Sequence, residues 1–280
     1  MQQVTTEMIR RLRTLSGAGI MECRQALQST EGDITRALEK LEELVRAAAG
    51  HREDRETREG RVFHAMDATA VYAVTLLCET DFAAANALFI ETGNHCLEVL
   101  RERRCDFATL TELAADDILR AKSRIKENMK LKSSSWIAAR EGESLAWYVH
   151  EGDRIVSAFT YRTPPAATLE EGSFRQLIND IALQIAAEAP RFTARADIPG
   201  EYLHNLEKTL YAEISEEDKP EQVRERIVRG RLEKRIRRET LLEQPFIRDG
   251  SRTVGDVVSE TEGILGTELV ITRLLYQSVL

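Results

Sequence analysis

The stretch Cys78-Glu79-Thr80-Asp81-Phe82 lies where an apolar, β-like run from Val71 to Leu77 ends and a helical pattern begins. Thr80 or Asp81 is suited to cap the unpaired amides at the start of that helix. Phe82 falls at the corner between strand and helix. Its ring either packs beneath the helix, as at ordinary capped corners, or stands in solvent as a wedge for a partner protein.

The composition is that of a globular protein with material for about two domains. The chain has 280 residues, of which 42% are hydrophobic and 31% are charged, and its formal net charge is −8. An acidic chain is a poor candidate for a dedicated nucleic-acid binder. No apolar run approaches the roughly 20 residues of a membrane helix, and the N-terminus lacks the basic-then-apolar order of a signal peptide. These features predict a cytoplasmic protein without membrane association.

The first 50 residues predict a bundle of three short helices. Met8 and Leu12 recur at helical spacing, and the breaks Ser16-Gly17-Ala18-Gly19 and Glu31-Gly32-Asp33 divide the pattern. Residues 51–60 are almost entirely charged or polar. We therefore expect a solvated linker at residues 51–60.

From Arg61 onward, strand patterns are followed twice by helical patterns. Val62–Met66 and Val71–Val74 suggest a hairpin, which two helices follow. A predicted three-stranded meander comes next, formed by Trp136–Arg140, Leu145–His150 and Ile155–Tyr161. It precedes another helix. This order predicts an α+β fold with two subdomains that carry small antiparallel sheets, at residues 61–132 and 133–280.

Residues from about 190 to 240 predict an antiparallel helical hairpin that projects from the body. Its two helices, Glu201–Ile214 and Glu221–Arg238, carry narrow apolar stripes. Such stripes suit pairing with each other better than burial in a core. A short helix from Thr253 to Thr261 and a last strand from Leu269 complete the pattern.

The sequence contains no recognisable catalytic set, metal site or cofactor fingerprint. Its five histidines are scattered, and its four cysteines lack metal-ligand spacing, which is typical of reduced thiols. Ser16–Gly19 is neither a P-loop nor a dinucleotide fingerprint, because no Gly-Lys-Ser/Thr follows and no strand precedes it. Glu79 and Asp81 are the one conceivable acid–base pair, and no other polar cluster supports it. We expect a protein that is not an enzyme.

One basic stretch, Arg224–Arg238, is the candidate nucleic-acid surface. Glu225 and Glu233 interrupt it, and it offers no aromatic side chain for base stacking. A solvated or partner-facing helix surface is therefore the favoured interpretation. A nucleic-acid-associated protein that uses this surface is the alternative.

Several blocks of the chain resemble the translation elongation factor Ts family. Leu12–Leu27 followed by Glu31–Ile34 resembles the N-terminal signature of that family, and Glu79–Phe82 resembles its Thr-Asp-Phe signature. Further similar blocks follow in the family's order: Ala186-Ala187 with Pro190 and Phe192, Lys219-Pro220, Ile227–Arg231 and Leu241–Phe246. The resemblance covers nearly the whole chain.

The chain also departs from the family pattern. Leu77 stands where the family usually has Asn, Ala83 where it has Val, and Ala85 where it has a basic or polar residue. The Ile-Gly-Glu-Asn segment expected before the meander is not found at Lys130–Ser135. We therefore expect a divergent member.

The resemblance implies a guanine-nucleotide exchange factor for the GTPase elongation factor Tu. It implies that residues 1–50 form a ubiquitin-associated-like domain. It also implies that Thr80, Asp81 and Phe82 contact the GTPase, that the Asp81-Phe82 pair inserts near the nucleotide, and that His150 faces the same partner. The implied docking residues of the N-terminal domain are Arg13, Gly17, Gly19, Ile20 and Met21. The hairpin is implied to mediate self-association in some members. The alternative is a paralogue that binds the GTPase as a scaffold and does not release its nucleotide.

Overall fold

The computed structural model describes residues 4–50, 54–150, 152–163, 171–214, 220–266 and 268–280. The fold is α+β, as predicted, with helices at the N-terminus followed by helices and small sheets. The chain forms two compact units. The first comprises Met1–His64, Tyr72–Ser135 and Ser278–Leu280, and the second comprises Ala65–Val71 and Trp136–Gln277. The domain boundaries inferred from the sequence remain predictions.

Three helices occupy the N-terminal part of the first unit, as the periodicity predicts. They are α1 (Thr6–Ser16), α2 (Ile20–Ser29) and α3 (Ile34–Gly50). The Thr5 hydroxyl caps α1 by accepting a hydrogen bond from the Met8 amide at 3.3 Å. A small buried core joins the helices, formed by Leu12, Cys23, Ala26, Leu27, Ala37 and Leu41. The likeness of this bundle to a ubiquitin-associated domain remains a prediction.

The first sheet has the strand order β1-β2-β3. Its strands are β1 (Glu59–Met66), β2 (Ala70–Cys78) and β3 (Met129–Ala138). The central strand β2 is buried at every position, which accounts for its uninterrupted apolar sequence. The predicted hairpin corresponds to β1 and β2.

One predicted strand is wrong. Trp136–Arg140 was expected to open the meander, whereas residues 136–138 are the end of β3 and belong to the first sheet. Lys130 is exposed within β3, and three consecutive serines follow at positions 133–135. These polar residues conceal the length of the strand, because a strand with one solvated face carries a weak apolar signal.

The helix predicted after Asp81 is interrupted. It is divided into α4 (Asp81–Ala84), a single turn, and α5 (Ala87–Arg103). Asn86 starts α5, because its side-chain oxygen accepts a hydrogen bond from the Leu88 amide at 2.9 Å. The next helix, α6 (Phe107–Ile125), packs against α5.

The second unit contains, in chain order, β4 (Ser144–Val149), β5 (Ile155–Arg162), α7 (Glu171–Glu188), α8 (Gly200–Ile214), α9 (Glu221–Glu239), β6 (Pro245–Phe246), β7 (Asp249–Thr253), α10 (Val254–Leu265) and β8 (Val270–Ser278). Its larger sheet has the order β4-β5-β8. The hydroxyl oxygens of Thr160 and Thr272 lie 2.7 Å apart and link β5 to β8. The third strand of this sheet, next to β5, is therefore β8 from the end of the chain. The predicted meander, in which Trp136–Arg140 was the third strand, is wrong in this respect.

The predicted helical hairpin is present as α8 and α9. Leu210, Ile214 and Val228 are buried between the two helices, so the narrow stripes pack against each other. The connection at residues 215–219 lies outside the described residues. The projection of the hairpin from the body remains a prediction.

Candidate functional site

The corner between β2 and α4 is held by a threonine cap. Thr80 has extended backbone angles, φ −127° and ψ 158°. Its hydroxyl accepts a hydrogen bond from the Ala83 amide at 3.2 Å, which pairs one of the unpaired amides at the helix start. The Asp81 carboxylate accepts from the Phe82 amide at 2.9 Å. The four-residue helix thus begins with two side-chain caps.

The Phe82 ring stands in solvent. It is 84% exposed, whereas the next two residues, Ala83 and Ala84, are buried. The arrangement in which the ring packs beneath the helix is therefore not the one observed. Burial of a large aromatic side chain is the strongest source of free energy that this corner can offer to a partner. Contact of Phe82 with a partner remains a prediction.

A second segment fastens the corner from the far end of α6. The Glu127 carboxylate accepts one hydrogen bond from the Thr80 amide at 3.0 Å and another from the Thr80 hydroxyl at 2.7 Å. In return, the Glu79 carboxylate accepts from the Asn128 amide at 2.6 Å. Each segment therefore supplies a carboxylate to a backbone amide of the other. We call Glu79, Thr80, Glu127 and Asn128 the corner clamp.

The corner clamp also anchors part of the predicted linker. The Asn128 side chain donates to the Arg55 carbonyl at 2.8 Å, and the Arg55 guanidinium lies 3.5 Å from the Glu79 carboxylate. Thr57 is buried. The expectation of a wholly solvated linker at residues 51–60 is therefore wrong for its described part, and residues 51–53 lie outside the described residues.

Glu127 and Asn128 were not foreseen from the sequence. The family segment Ile-Gly-Glu-Asn, expected near Lys130–Ser135, is matched instead by Ile125-Lys126-Glu127-Asn128, with Lys in place of Gly. Lys126 ends α6 in the left-handed region at φ 66°, a conformation that favours glycine. The displaced position and the one substitution concealed the segment.

The ionisable groups beside the corner are engaged in contacts within the protein. The Glu79 carboxylate, considered as an acid or base, is already engaged by the Asn128 amide and Arg55. Burial raises the pKa of the Cys78 thiol to about 12, and the Glu127 carboxylate adds to that shift. Within the described residues, no group of three or more His, Cys, Asp or Glu side chains is placed to hold a metal ion.

The implied docking residues lie on α1, on the turn after it and on α2. Ile20 is 55% exposed and Met21 is 63% exposed, whereas Leu12, one turn before the end of α1, is fully buried. Gly19 starts α2, and its amide donates to the Glu22 carboxylate at 2.8 Å. Ile20 and Met21 therefore form an apolar surface on the outside of the bundle.

Arg13, Gly17 and Gly19 line a groove of about 1020 Å³ whose opposite wall is α6. Gly17 ends α1 at φ 69°. A Cβ atom at this position would lie 1.9 Å from a guanidinium nitrogen of Arg124. Gly17 is thus half-buried beside the Arg124 side chain of α6, whereas Ile20 and Met21 face solvent.

His150 belongs to the second unit. It is exposed at the end of β4, and its Nδ1 atom lies 3.2 Å from the Tyr148 hydroxyl. Its amide donates to the Ile155 carbonyl at 2.9 Å, closing the turn between β4 and β5. Its contact with a partner remains a prediction.

The basic stretch on α9 is partly neutralised by carboxylates. Arg235 pairs with Glu239 at 2.7 Å, and Arg231 lies 3.6 Å from Glu213. A further arginine, Arg195, binds Glu233 of this helix. These pairs support the interpretation of a solvated or partner-facing surface. None of the described helices is long and apolar enough to cross a membrane.

Comparison with known proteins relates the chain to one family. The family description Elongation factor TS matches residues 79–276, which include the four residues of the corner clamp and most of β8. This match covers more than half of the chain.

Proteins named Elongation factor Ts are similar along nearly the whole length. That of Borrelia hermsii is 32% identical over 277 residues, which cover 99% of both chains. That of Symbiobacterium thermophilum is 31% identical over 280 residues, covering 98% of this chain and 91% of the relative. That of a Hydrogenobaculum species is 33% identical over 270 residues, covering 90% and 92%.

Proposed function

This chain belongs to the elongation factor Ts family of translation elongation factors, and we propose on that premise that it promotes GDP release from the GTPase elongation factor Tu. Its action is exchange and requires no acid–base catalyst. The surface that acts is the Thr80–Phe82 corner, supported by Ile20 and Met21 as a docking surface. The setting is the cytoplasm, where translation elongation takes place.

Exchange follows from a difference between two affinities. The factor must bind the nucleotide-free GTPase more tightly than the GDP-bound form, and by linkage GDP then weakens the factor's binding by the same ratio. A coupling of about 4 kcal/mol changes the affinity for GDP by roughly a thousandfold, at about 1.4 kcal/mol per decade. The corner must therefore supply binding energy that is available only when the nucleotide site is empty.

The observation that carries the proposal is the exposed Phe82 ring on a fastened corner. The ring is 84% exposed in the unbound protein. The free energy of burying it is therefore gained only when the partner binds. Burial of a phenylalanine side chain is worth about 3 kcal/mol. Asp81 is exposed beside it, and its carboxylate would compete electrostatically with phosphate oxygens for a Mg²⁺ ion.

The test is release of fluorescent GDP from elongation factor Tu with increasing concentrations of this protein. Wild type should accelerate release, and Phe82→Ala should lower the acceleration about a hundredfold, because about 3 kcal/mol is lost at about 1.4 kcal/mol per decade. Ile264→Ala is the matched control, since Ile264 is a large apolar residue 77% exposed on α10. Unchanged acceleration by Phe82→Ala would contradict the proposal.

Docking is tested by replacing Ile20 and Met21 together with serine. Both side chains are exposed, so the fold should persist while the factor concentration needed for half-maximal release rises at least tenfold, the equivalent of about 1.4 kcal/mol. Circular dichroism provides the check on folding. Loss of the whole fold, or an unchanged half-maximal concentration, would remove these residues from the docking surface.

The scaffold alternative has a distinct outcome in the same assay. A scaffold would bind elongation factor Tu and leave the rate of GDP release unchanged. The nucleic-acid alternative requires RNA binding that weakens steeply as salt rises. The proposed self-association through α8 and α9 would appear as a mass that increases with protein concentration.

A further inference from the structure

We propose that Glu127 is a positioning residue for nucleotide exchange, which holds the Thr80 cap so that Asp81 and Phe82 are presented in one fixed geometry. The inference rests on the proposed function. Glu127 lies two residues beyond the end of α6 and 47 residues from Thr80 in sequence. Its carboxylate contacts Thr80, so its effect on a partner would be transmitted through the corner.

The contact geometry makes Glu127 a two-point support. One carboxylate oxygen accepts from the Thr80 amide at 3.0 Å and the other accepts from the Thr80 hydroxyl at 2.7 Å. Hydrogen bonds to an ionised carboxylate are shorter and stronger than those between neutral groups. Because the hydroxyl donates to Glu127, its lone pairs are directed to accept from the Ala83 amide, at 3.2 Å.

The helix that carries Phe82 is too short to be stable by itself. α4 spans four residues, Asp81–Ala84, and a single helical turn is unfavourable without outside contacts, because nucleation fixes several dihedral angles for one hydrogen bond. Only the small side chains of Ala83 and Ala84 are buried from this turn. The direction of the exposed Phe82 ring therefore depends on the cap, and the cap depends on Glu127.

The contact between Glu79 and Asn128 holds the segment that carries Glu127. Glu79 accepts from the Asn128 amide at 2.6 Å, so the segment that carries Glu127 is itself held in place by the corner. Cys78 also donates to the Thr80 carbonyl at 3.2 Å. Both sides of the corner clamp must loosen together, which favours a single ordered geometry before the partner binds.

Preorganisation predicts a specific kinetic signature. If only a fraction of the protein has the ordered corner, the apparent affinity falls by that fraction, so a corner ordered one-tenth of the time binds about tenfold more weakly. The maximal release rate at saturating factor is retained, because the bound complex contains the ordered corner. Loss of Phe82 differs, since it removes the ring itself and lowers the maximal rate.

The experiment measures GDP release from elongation factor Tu with variants of the full chain. Glu127→Ala should raise the half-maximal concentration about tenfold and leave the maximal rate within twofold of wild type. Glu112→Ala is the charge-matched control, because Glu112 is exposed on α6 outside the corner clamp. Adding Glu127→Ala to Phe82→Ala should cause little further loss, since the positioned ring is already absent.

Alkylation of two cysteines separates local loosening from general unfolding. Cys78 lies at the corner and Cys96 lies on α5, and both are buried with a pKa raised to about 12 by burial. In Glu127→Ala, we expect Cys78 to react at least tenfold faster than in wild type, while Cys96 stays slow. Mass spectrometry of the two peptides gives both rates from one sample.

The inference is overturned if Glu127→Ala leaves the half-maximal concentration unchanged, if it lowers the maximal rate as strongly as Phe82→Ala, or if Cys96 becomes as reactive as Cys78. If the proposed function is wrong, wild type itself will not accelerate GDP release. The cysteine alkylation rates would still show whether Glu127 holds the corner.

Discussion

Two strand-to-helix corners in this protein begin with a threonine cap, and they are supported in different ways. At the start of α10, the Thr253 hydroxyl accepts from the Asp256 amide at 3.1 Å and the Asp256 carboxylate accepts from the Thr253 amide at 2.8 Å. This is a capping box closed within four residues. At the start of α4, the amide of Thr80 is instead bound by Glu127, 47 residues away.

The two corners differ in whether the large apolar side chain that follows the threonine is buried. The residue after Thr253 is Val254, which is fully buried, so core packing reinforces the local box. The second residue after Thr80 is the exposed Phe82, which gives its own corner no packing energy. A corner that displays its largest side chain needs support from elsewhere in the fold, and Glu127 supplies it.

Among substitutions at the two corners, we expect the greatest loss of stability at Thr80. Thr80→Ala should lower the free energy of unfolding by about 2 to 3 kcal/mol, because it removes the cap and leaves the Glu127 carboxylate with an unsatisfied acceptor. Thr253→Ala should cost about 1 kcal/mol, the usual value for a lost cap. Urea denaturation followed by circular dichroism measures both. Equal losses at the two sites would show that the distant carboxylate adds nothing.

A smaller effect is expected at two helix ends in the left-handed region, one at the end of α6 and one at the end of α10. Lys126 ends α6 at φ 66°, and Gly266 ends α10 at φ 62°. Lys126→Gly should stabilise the protein by about 1 kcal/mol, because glycine adopts the left-handed region without a steric penalty. Gly266→Lys should destabilise it by a similar amount.

The denaturation midpoints of Lys126→Gly and Gly266→Lys, compared with that of wild type, measure both changes in stability. A destabilised Lys126→Gly protein would mean that the lysine side chain makes a contact worth more than the strain. Exchange activity of Lys126→Gly should equal that of wild type, since Glu127 keeps its place.

The smallest effect concerns pH. Hydrogen bonds from the Thr253 amide and hydroxyl hold the pKa of the Asp256 carboxyl below its ordinary value of 3.8. Because the folded pKa is lowered, this contribution to stability is fully present above about pH 4 and is lost as pH falls through the folded pKa. NMR titration of the Asp256 side chain should show a midpoint below 3.8. A midpoint above that value would contradict the capping box.

The same contrast shows what a sequence can predict. The box at Thr253 is visible as Thr-x-x-Asp before an apolar run, and the three N-terminal helices are visible from their periodicity and breaks. The α+β class and the family followed from such local patterns. A cap by Thr80 or Asp81 was also foreseen, because the residue types at a helix start are limited, and the structure has Thr80 as the N-cap.

Tertiary contacts account for what the sequence did not reveal. Glu127 and Asn128 carry no local sign of their partners, since no periodicity links them to Thr80. β3 was misplaced because its partner strand lies far back in the chain, and β8 was not foreseen as the neighbour of β5 for the same reason. The break between α4 and α5 depends on Asn86, whose capping role competes with an otherwise continuous helical pattern.

In the proposed function, an exposed and fixed Phe82 couples binding of this protein to loss of GDP from its partner. The most direct measurement is the dissociation constant of this protein for elongation factor Tu, with and without saturating GDP. Linkage predicts a ratio of about a thousand for wild type, which corresponds to about 4 kcal/mol of coupling, and a much smaller ratio for Phe82→Ala. A ratio that is the same for wild type and Phe82→Ala would show that Phe82 does not couple binding to GDP release.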